Sequence, residues 1–302
     1  MQFSMMTEPQ FGGTYEQILR AARLAETEGL HSFARSDHLA WDRRHAPDAT
    51  DAFATFGGLA RDTDTVRLAV LVTPITFRHP AIIAKNAATI DQMSGGRFDL
   101  GVGTGWNDFE HDALGIPFPE ESERWARFED ALGYLEAAFG AGHGRHTGPF
   151  YNLDLDVRPK PTGIRLIIGG GGPRRTPTLA GTRADEYNIF MCPVDEAMEK
   201  IHVMREAAGD RKVEVTMMGT VTAAGTDAEL ADLVSAAAVR RSITNDELVS
   251  RWEKSGVVFG TPPQLREKIA ALEDAGVERL YLQWLDLTDY YGLARMVDLV
   301  RG

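Results

Sequence analysis

The sequence predicts an α/β fold, a (β/α)8 TIM barrel with insertions after its fourth and seventh strands. Strand-like and helix-like patterns alternate from one end of the 302 residues to the other. Repeated strand–helix units imply a parallel sheet, and eight of them in about 300 residues suit a closed barrel better than an open doubly wound sheet. Several apolar strands also run directly into glycine- or threonine-rich ends, and barrel strand ends are where sites assemble.

The elements follow in order. Residues 2–6 form the first strand. A helix over 14–28 places Tyr15, Ile18, Leu19, Ala22 and Ala25 on one face, and Gly29 ends it. A strand at 31–35 and a helix at 52–61 come next, then a strand at 66–72 stopped by Pro74. Pro80 opens a helix to about 92, and Ser94-Gly95-Gly96 turns the chain into the fourth strand. The next units are a helix at 121–139, a strand at 164–168 and a helix from about 173. A strand at 186–190, a helix at 194–208 and a strand at 213–221 follow. Thr261 and Gln264 suit a capping box and Pro262 the first helical position, before a stripe of Leu265, Ile269 and Leu272 ended by Gly276. A strand at 279–284 and a helix at 289–300 close the chain, read as one domain over 1–302. Segments 107–163 and 223–260 exceed ordinary loop length and are expected to build lids and substrate walls.

Composition excludes several classes. A net charge of −12 argues against nucleic acid, because phosphate binding needs clustered Lys and Arg. No apolar run approaches the ~20 residues of a membrane span, and the N-terminus has no signal-peptide pattern. The single cysteine, Cys192, excludes an internal disulfide and a multi-cysteine metal site. It fits a reducing compartment, so a cytoplasmic protein is expected. As a residue it reads first as a small buried apolar group.

The densest chemical signal is residues 97–107, where Phe98, Leu100 and Val102 alternate into glycines at 101, 103 and 105, with Thr104, Trp106 and Asn107. Such a strand end brings bare backbone close to something flat or anionic. The second signal is Gly169-Gly170-Gly171-Gly172-Pro173-Arg174-Arg175 ahead of a helix. Free N–H groups, the positive helix end and two arginines make an anion site, most naturally for phosphate, against the alternative of a flexible loop. Pro177 removes one donor from that helix start. Asp37-His38, with Trp41 beyond, is a candidate acid/base unit at the second strand's end, where the carboxylate would orient the imidazole. Glu110-His111 faces either the mouth or solvent. His143 and His146 have no obvious partners in sequence, so no metal site is expected. Asp42-Arg43-Arg44-His45 reads first as solvated charge, with Arg43 and Arg44 as minority candidates for holding a polyanionic tail.

The phrases Ser-Asp-His-Leu at 36–39, Leu-Val-Thr-Pro-Ile-Thr-Phe-Arg-His-Pro at 71–80 and Ala-Lys-Asn-Ala-Ala-Thr-Ile-Asp at 84–91 carry a family likeness. So do Ser-Gly-Gly-Arg-Phe-Asp-Leu-Gly-Val-Gly-Thr-Gly-Trp-Asn at 94–107, Gly-Ile-Pro-Phe-Pro at 115–119 and Ile-Gly-Gly-Gly-Gly-Pro-Arg-Arg-Thr at 168–176. Together the chain resembles the bacterial luciferase-like monooxygenase superfamily, and within it the branch that uses the deazaflavin coenzyme F-420. The resemblance implies a flavin-type ring at the C-terminal mouth of the barrel. Asp37 and His38 would approach the ring and its substrate, and Trp41 would wall the site. Backbone at Val70 and Leu71 would form a supporting bulge, often with a non-prolyl cis peptide. Thr104, Gly105 and Trp106 would contact the ring region with Asn107 nearby, and Gly170, Gly171, Gly172 and Arg174 would take the phosphate.

Some F-420 enzymes place a catalytic glutamate where this chain has Trp106, which turns expectation away from a sugar-phosphate dehydrogenase. His38 is left as the proton-transfer residue, with Asp37 tuning it and Glu110 behind it. The expected activity is hydride transfer between the deazaflavin C5 and a small-molecule substrate. The alternatives are an FMN-dependent monooxygenase fed by a separate reductase, and a non-catalytic binder of either cofactor. The same resemblance implies a homodimer.

Overall fold

In the computed structural model, which describes residues 1–41 and 48–302, the apolar runs fold as parallel strands that close on themselves. The charged run containing Arg43 and Arg44 lies outside the described residues. In chain order the first half comprises β1 (Gln2–Thr7), α1 (Tyr15–Thr27), β2 (Ser32–Arg35), α2 (Ala52–Asp62), β3 (Arg67–Pro74), α3 (Pro80–Ser94), β4 (Phe98–Gly103), α4 (Asp108–Leu114), α5 (Glu121–Phe139), β5 (Gly144–Thr147) and β6 (Asn152–Leu155). The second comprises β7 (Arg165–Gly169), α6 (Arg175–Arg183), β8 (Glu186–Phe190), α7 (Val194–Ala208), β9 (Glu214–Ala223), α8 (Asp227–Arg240), α9 (Asn245–Lys254), β10 (Val258–Gly260), α10 (Pro262–Asp274), β11 (Arg279–Trp284) and α11 (Tyr290–Arg301). The closed ring runs β1-β2-β3-β4-β7-β8-β9-β11, with β11 pairing back to β1 and every neighbour parallel. The TIM barrel read from the sequence is therefore the fold.

Local chemistry starts and stops the helices. Thr14 and Gln17 form a reciprocal capping box ahead of α1. The Asp51 carboxylate accepts from the Ala54 N–H at 2.8 Å ahead of α2. Helices pack their apolar stripes on the outward strand faces, where Phe33, Phe56, Leu68, Phe98 and Leu100 are fully buried. The inward faces carry a second apolar layer of Met6, Ala34, Ala69, Leu71, Ile167 and Tyr281.

Below that layer the strand starts hold charge. Arg67 pairs with Asp99, and Arg165 with Glu214. Arg279 bridges Glu186 and Glu214, reaching the latter at 2.7 Å. Tyr281 and Thr216 donate to the other Glu186 oxygen at 3.1 and 2.8 Å. This network fills the N-terminal end of the barrel and leaves the C-terminal end for a cavity.

The first long segment carries more structure than its sequence suggested. It contains α4 and an antiparallel hairpin, β5 and β6, besides the expected α5. His143 and His146 do have partners: Asp154 at 2.5 Å and Asp130 at 2.6 Å. Asp130 also accepts from the Phe150 and Tyr151 N–H groups, binding the hairpin to α5. The second segment holds α8 and α9 around a small apolar cluster of their own, and β10 then pairs with the far end of β9.

Strand β3 bulges between Val70 and Thr73, and its Leu71–Val72 peptide is cis. The glycines of β4 make room for this bulge. A Cβ at Gly101 would collide with the Val70 carbonyl oxygen, and one at Gly103 would lie 2.9 Å from Val72 Cγ2. On β7, a Cβ at Gly169 would lie 2.9 Å from Val72 Cγ1. The alternating glycines thus first admit a neighbouring strand, where the sequence suggested an approaching ligand. Gly101→Ala is expected to lower stability by about 1–3 kcal/mol, read as a lower urea midpoint. An unchanged midpoint would mean that β3 moves aside freely.

Candidate active site

A cavity of about 770 Å³ opens at the C-terminal mouth of the barrel. Its floor is Leu71, Val72 and Pro74 of the bulged strand with Gly103 of β4. Thr104, Gly105, Trp106 and Glu110 form one wall, and Gly169 to Gly172 with Thr176 another. Gly105 takes φ +81°, a left-handed conformation that swings Trp106 to the rim, where it is 66% exposed.

His38 lines the mouth, and Glu110 holds it. The two are 72 residues apart in sequence, yet His38 Nδ1 meets Glu110 Oε1 at 2.7 Å. The other Glu110 oxygen accepts from the Leu39 and Ala40 N–H groups at 2.9 and 3.4 Å. Helix α4 places this carboxylate. The next residue, His111, bonds the Asn107 carbonyl at 2.7 Å and Thr76 Oγ1 at 2.8 Å, tying the helix to its own start and to the loop after β3. Burial works against a charged His38 ring. The Glu110 hydrogen bond and the charges of Glu110, Glu8 and Asp37 outweigh it, so the imidazole holds its proton above the usual histidine range. Trp41 and Trp106 stand edge-on to the ring at centroid distances of 6.0 and 5.5 Å.

Of the residues named from sequence, His38, Trp41, Leu71, Thr104, Gly105, Trp106, Glu110, Gly170, Gly171 and Gly172 line this cavity together. Asp37, Val70, Asn107 and Arg174 are not among its lining residues. Asp37 is buried and pairs with Arg78, which also reaches Asp51. The Asp37–His38 dyad is therefore corrected: the Asp37 carboxylate is taken by Arg78 and reaches His38 only through its charge, and the carboxylate that orients His38 is Glu110. Arg174 is exposed at the start of α6. Its neighbour Arg175 stacks over Trp125 at 4.6 Å and pairs with Glu129.

Sequence reasoning missed Glu8, Gln10, Arg124, Thr176, Asn188 and Gln283, all of which line the cavity. Glu8 lies just past β1, Asn188 in the middle of β8 and Gln283 one residue from the end of β11. The rule that flagged the second to fifth strand ends applies equally to the first and eighth.

The site fits a flat cofactor with an anionic handle. A Cβ at Gly171 would meet nothing within 4 Å, while Cβ atoms at Gly170 and Gly172 would press on Thr176 at 3.2 and 3.1 Å. The polyglycine corner is thus a cradle that side chains would fill, with backbone N–H groups and a hydroxyl as donors. Among the described residues, no group of three or more His, Cys, Asp or Glu is placed to hold a metal ion. Nor is any helix of the described residues long and apolar enough to cross a membrane.

Comparison with known proteins places this geometry among relatives. The family model described as luciferase-like monooxygenase matches residues 1–279. The chain is 28% identical over 256 residues to the FMNH(2)-dependent dimethylsulfone monooxygenase of Pseudomonas fluorescens, covering 74% of this chain and 70% of that protein. It is 35% identical over 184 residues to the F420-dependent glucose-6-phosphate dehydrogenase of Microbacterium testaceum, covering 59% of this chain and 53% of the relative, so it matches about half the length of that enzyme. Among solved structures, the monooxygenase RslO1 from Streptomyces bottropensis superposes with a TM-score of 0.83 at 20% identity, covering 99% of this chain and 97% of that one. An F420-dependent secondary alcohol dehydrogenase in complex with an F420-acetone adduct superposes with a TM-score of 0.77 at 20% identity, covering 100% and 99%. These two likenesses are of fold.

Proposed function

Because the chain belongs to the luciferase-like monooxygenase family and is one of its enzymes, we propose that it is an F-420-dependent oxidoreductase acting on a small organic substrate at the barrel mouth. The observation that carries this reading is the His38–Glu110 pair facing the cavity. When bound, the deazaflavin supplies a ring carbon that gives or accepts a hydride. The protein must then manage the matching proton. With Nδ1 held by Glu110, His38 keeps Nε2 for the substrate and gives or takes the proton there. Leu71 and Val72 would support the ring, and Gly170, Gly171, Gly172 and Thr176 would take the phosphate. Trp41 and Trp106 would wall the substrate side. Cavity lining favours Thr176 over Arg174 as the phosphate partner, so Arg174 is left as a surface cation beside the handle.

A second reading, a monooxygenase using reduced FMN from a separate reductase, is favoured by one observation: the likeness to the sulfone monooxygenase runs over more of the chain than that to the dehydrogenase. Parallel titrations of the purified protein with F-420 and FMN separate the two. F-420 is expected to bind at least tenfold more tightly. Reduced F-420 absorbance should then change with at least one member of a panel of enones, imines and alcohols. FMN binding without F-420 binding would establish the second reading. Tight F-420 binding without turnover on any panel member would leave a non-catalytic binder.

A further inference from the structure

The mouth carries a buried carboxylate whose charge helps hold the His38 proton but which takes no part in the proton transfer above. Glu8, just past β1, is 6% exposed and lines the cavity. Its oxygens accept from two neutral amides, Gln10 Nε2 at 2.5 Å and Gln283 Nε2 at 2.7 Å. Both amides are fixed from behind. Ser36 Oγ donates to Gln10 Oε1 at 2.7 Å, and Thr220 Oγ1 donates to Gln283 Oε1 at 2.9 Å. These contacts aim the NH2 groups at Glu8 and orient the carboxylate without cancelling its charge.

Among the described residues, Arg35 and His38 feel the Glu8 charge but hydrogen-bond other partners. Arg35 donates to Ser36, Thr50 and Thr55, and His38 is held by Glu110. Among the described lining residues Arg124 is the one guanidinium or ammonium group, set against Glu8, Glu110 and Glu121. It lies over the Phe118 ring at 4.1 Å and donates to the Pro119 carbonyl. A buried carboxylate is costly unless a cation meets it.

An aromatic cluster lines the same cavity. Phe11 and Trp41 meet edge-on at 4.8 Å, and Trp41 and Trp106 at 6.0 Å. All three rings are more than a third exposed. Ring faces attract cations, most strongly those of tryptophan.

We propose that the substrate of this site is an organic cation, an amine or iminium compound whose charged nitrogen lies against Glu8 and the faces of Trp41 and Trp106. The inference rests on the proposed function for its chemistry but not for its binding, which is tested separately. Calorimetric titration of the full-length protein compares choline chloride with 3,3-dimethylbutan-1-ol, a neutral molecule of the same shape. Choline is expected to bind about tenfold more tightly. Glu8→Gln should abolish that preference in a variant whose circular dichroism shows it still folded, and Trp106→Leu, at an exposed position, should weaken choline binding several-fold. Equal binding of the two probes, a preference that survives Glu8→Gln, or no choline binding would overturn the proposal. A protein that binds choline but neither F-420 nor FMN keeps this inference and loses the proposed function. One that binds F-420 but ignores probe charge does the reverse.

Discussion

Turnover of the His38→Ala variant is expected to fall by about 10²–10⁴-fold while cofactor affinity stays nearly constant. The imidazole lines the cavity, and its Nδ1 is spent on Glu110 at 2.7 Å, so its service to the reaction is proton handling at Nε2. The cradle for the cofactor's handle lies on another wall, at Gly170 to Gly172. Glu110→Gln tests the coupling. Removing the anion takes away both the hydrogen bond to carboxylate and the largest charge that raises the His38 pKa, leaving burial opposed by Glu8 and Asp37. The limb of the kcat/KM profile that reports His38 should therefore move to lower pH. Undiminished turnover in His38→Ala would remove the residue from the mechanism, and an unmoved limb in Glu110→Gln would remove the pair.

The largest effect on stability is expected from Arg279→Leu, about 3–5 kcal/mol. Arg279 and Glu186 are both 0% exposed. Burial already pushes the Glu186 carboxyl above its usual range, and Arg279 is the first attraction pulling it back. Without that cation Glu186 must take a proton or remain an unpaired charge in the barrel, and Glu214 loses a partner at 2.7 Å. Scaled by the unfolding entropy of a chain this long, the thermal midpoint should drop by roughly 5–8 °C. Arg279→Leu combined with Glu186→Gln should recover part of the loss, because the two residues share one network. An Arg279→Leu midpoint equal to wild type would show that water reaches the barrel floor.

What was legible in the sequence was the local part. The barrel strands and the helices between them announced themselves through apolar spacing, caps and glycine stops. Helix Glu121–Phe139, strand Glu186–Phe190 and strand Arg279–Trp284 fall at the residues expected. The site was half legible. His38, Trp41, the Gly103–Trp106 run and the polyglycine corner sit at strand ends, where a barrel rule finds them. Pairings across the chain were not. Nothing local links His38 to Glu110, and sequence adjacency pointed instead to Asp37, which turns away to Arg78. Glu8 carries no motif, and its meaning comes from Gln10 and Gln283, the latter 275 residues away. The hairpin of Gly144–Thr147 with Asn152–Leu155 was hidden because its strands are short and polar, and Asp130 on a distant helix fastens it.

Val72 fits like a tooth between wards that are missing methyl groups: Gly101 and Gly103 on one strand, Gly169 on the next. Two strands are cut to one isopropyl group on a third, so none of the three can be exchanged alone. A chimera that transplants residues 67–74 from a relative must bring that relative's partners at 101, 103 and 169 as a single cassette. The loops above can be rewritten piecemeal, while the seam beneath them is inherited whole.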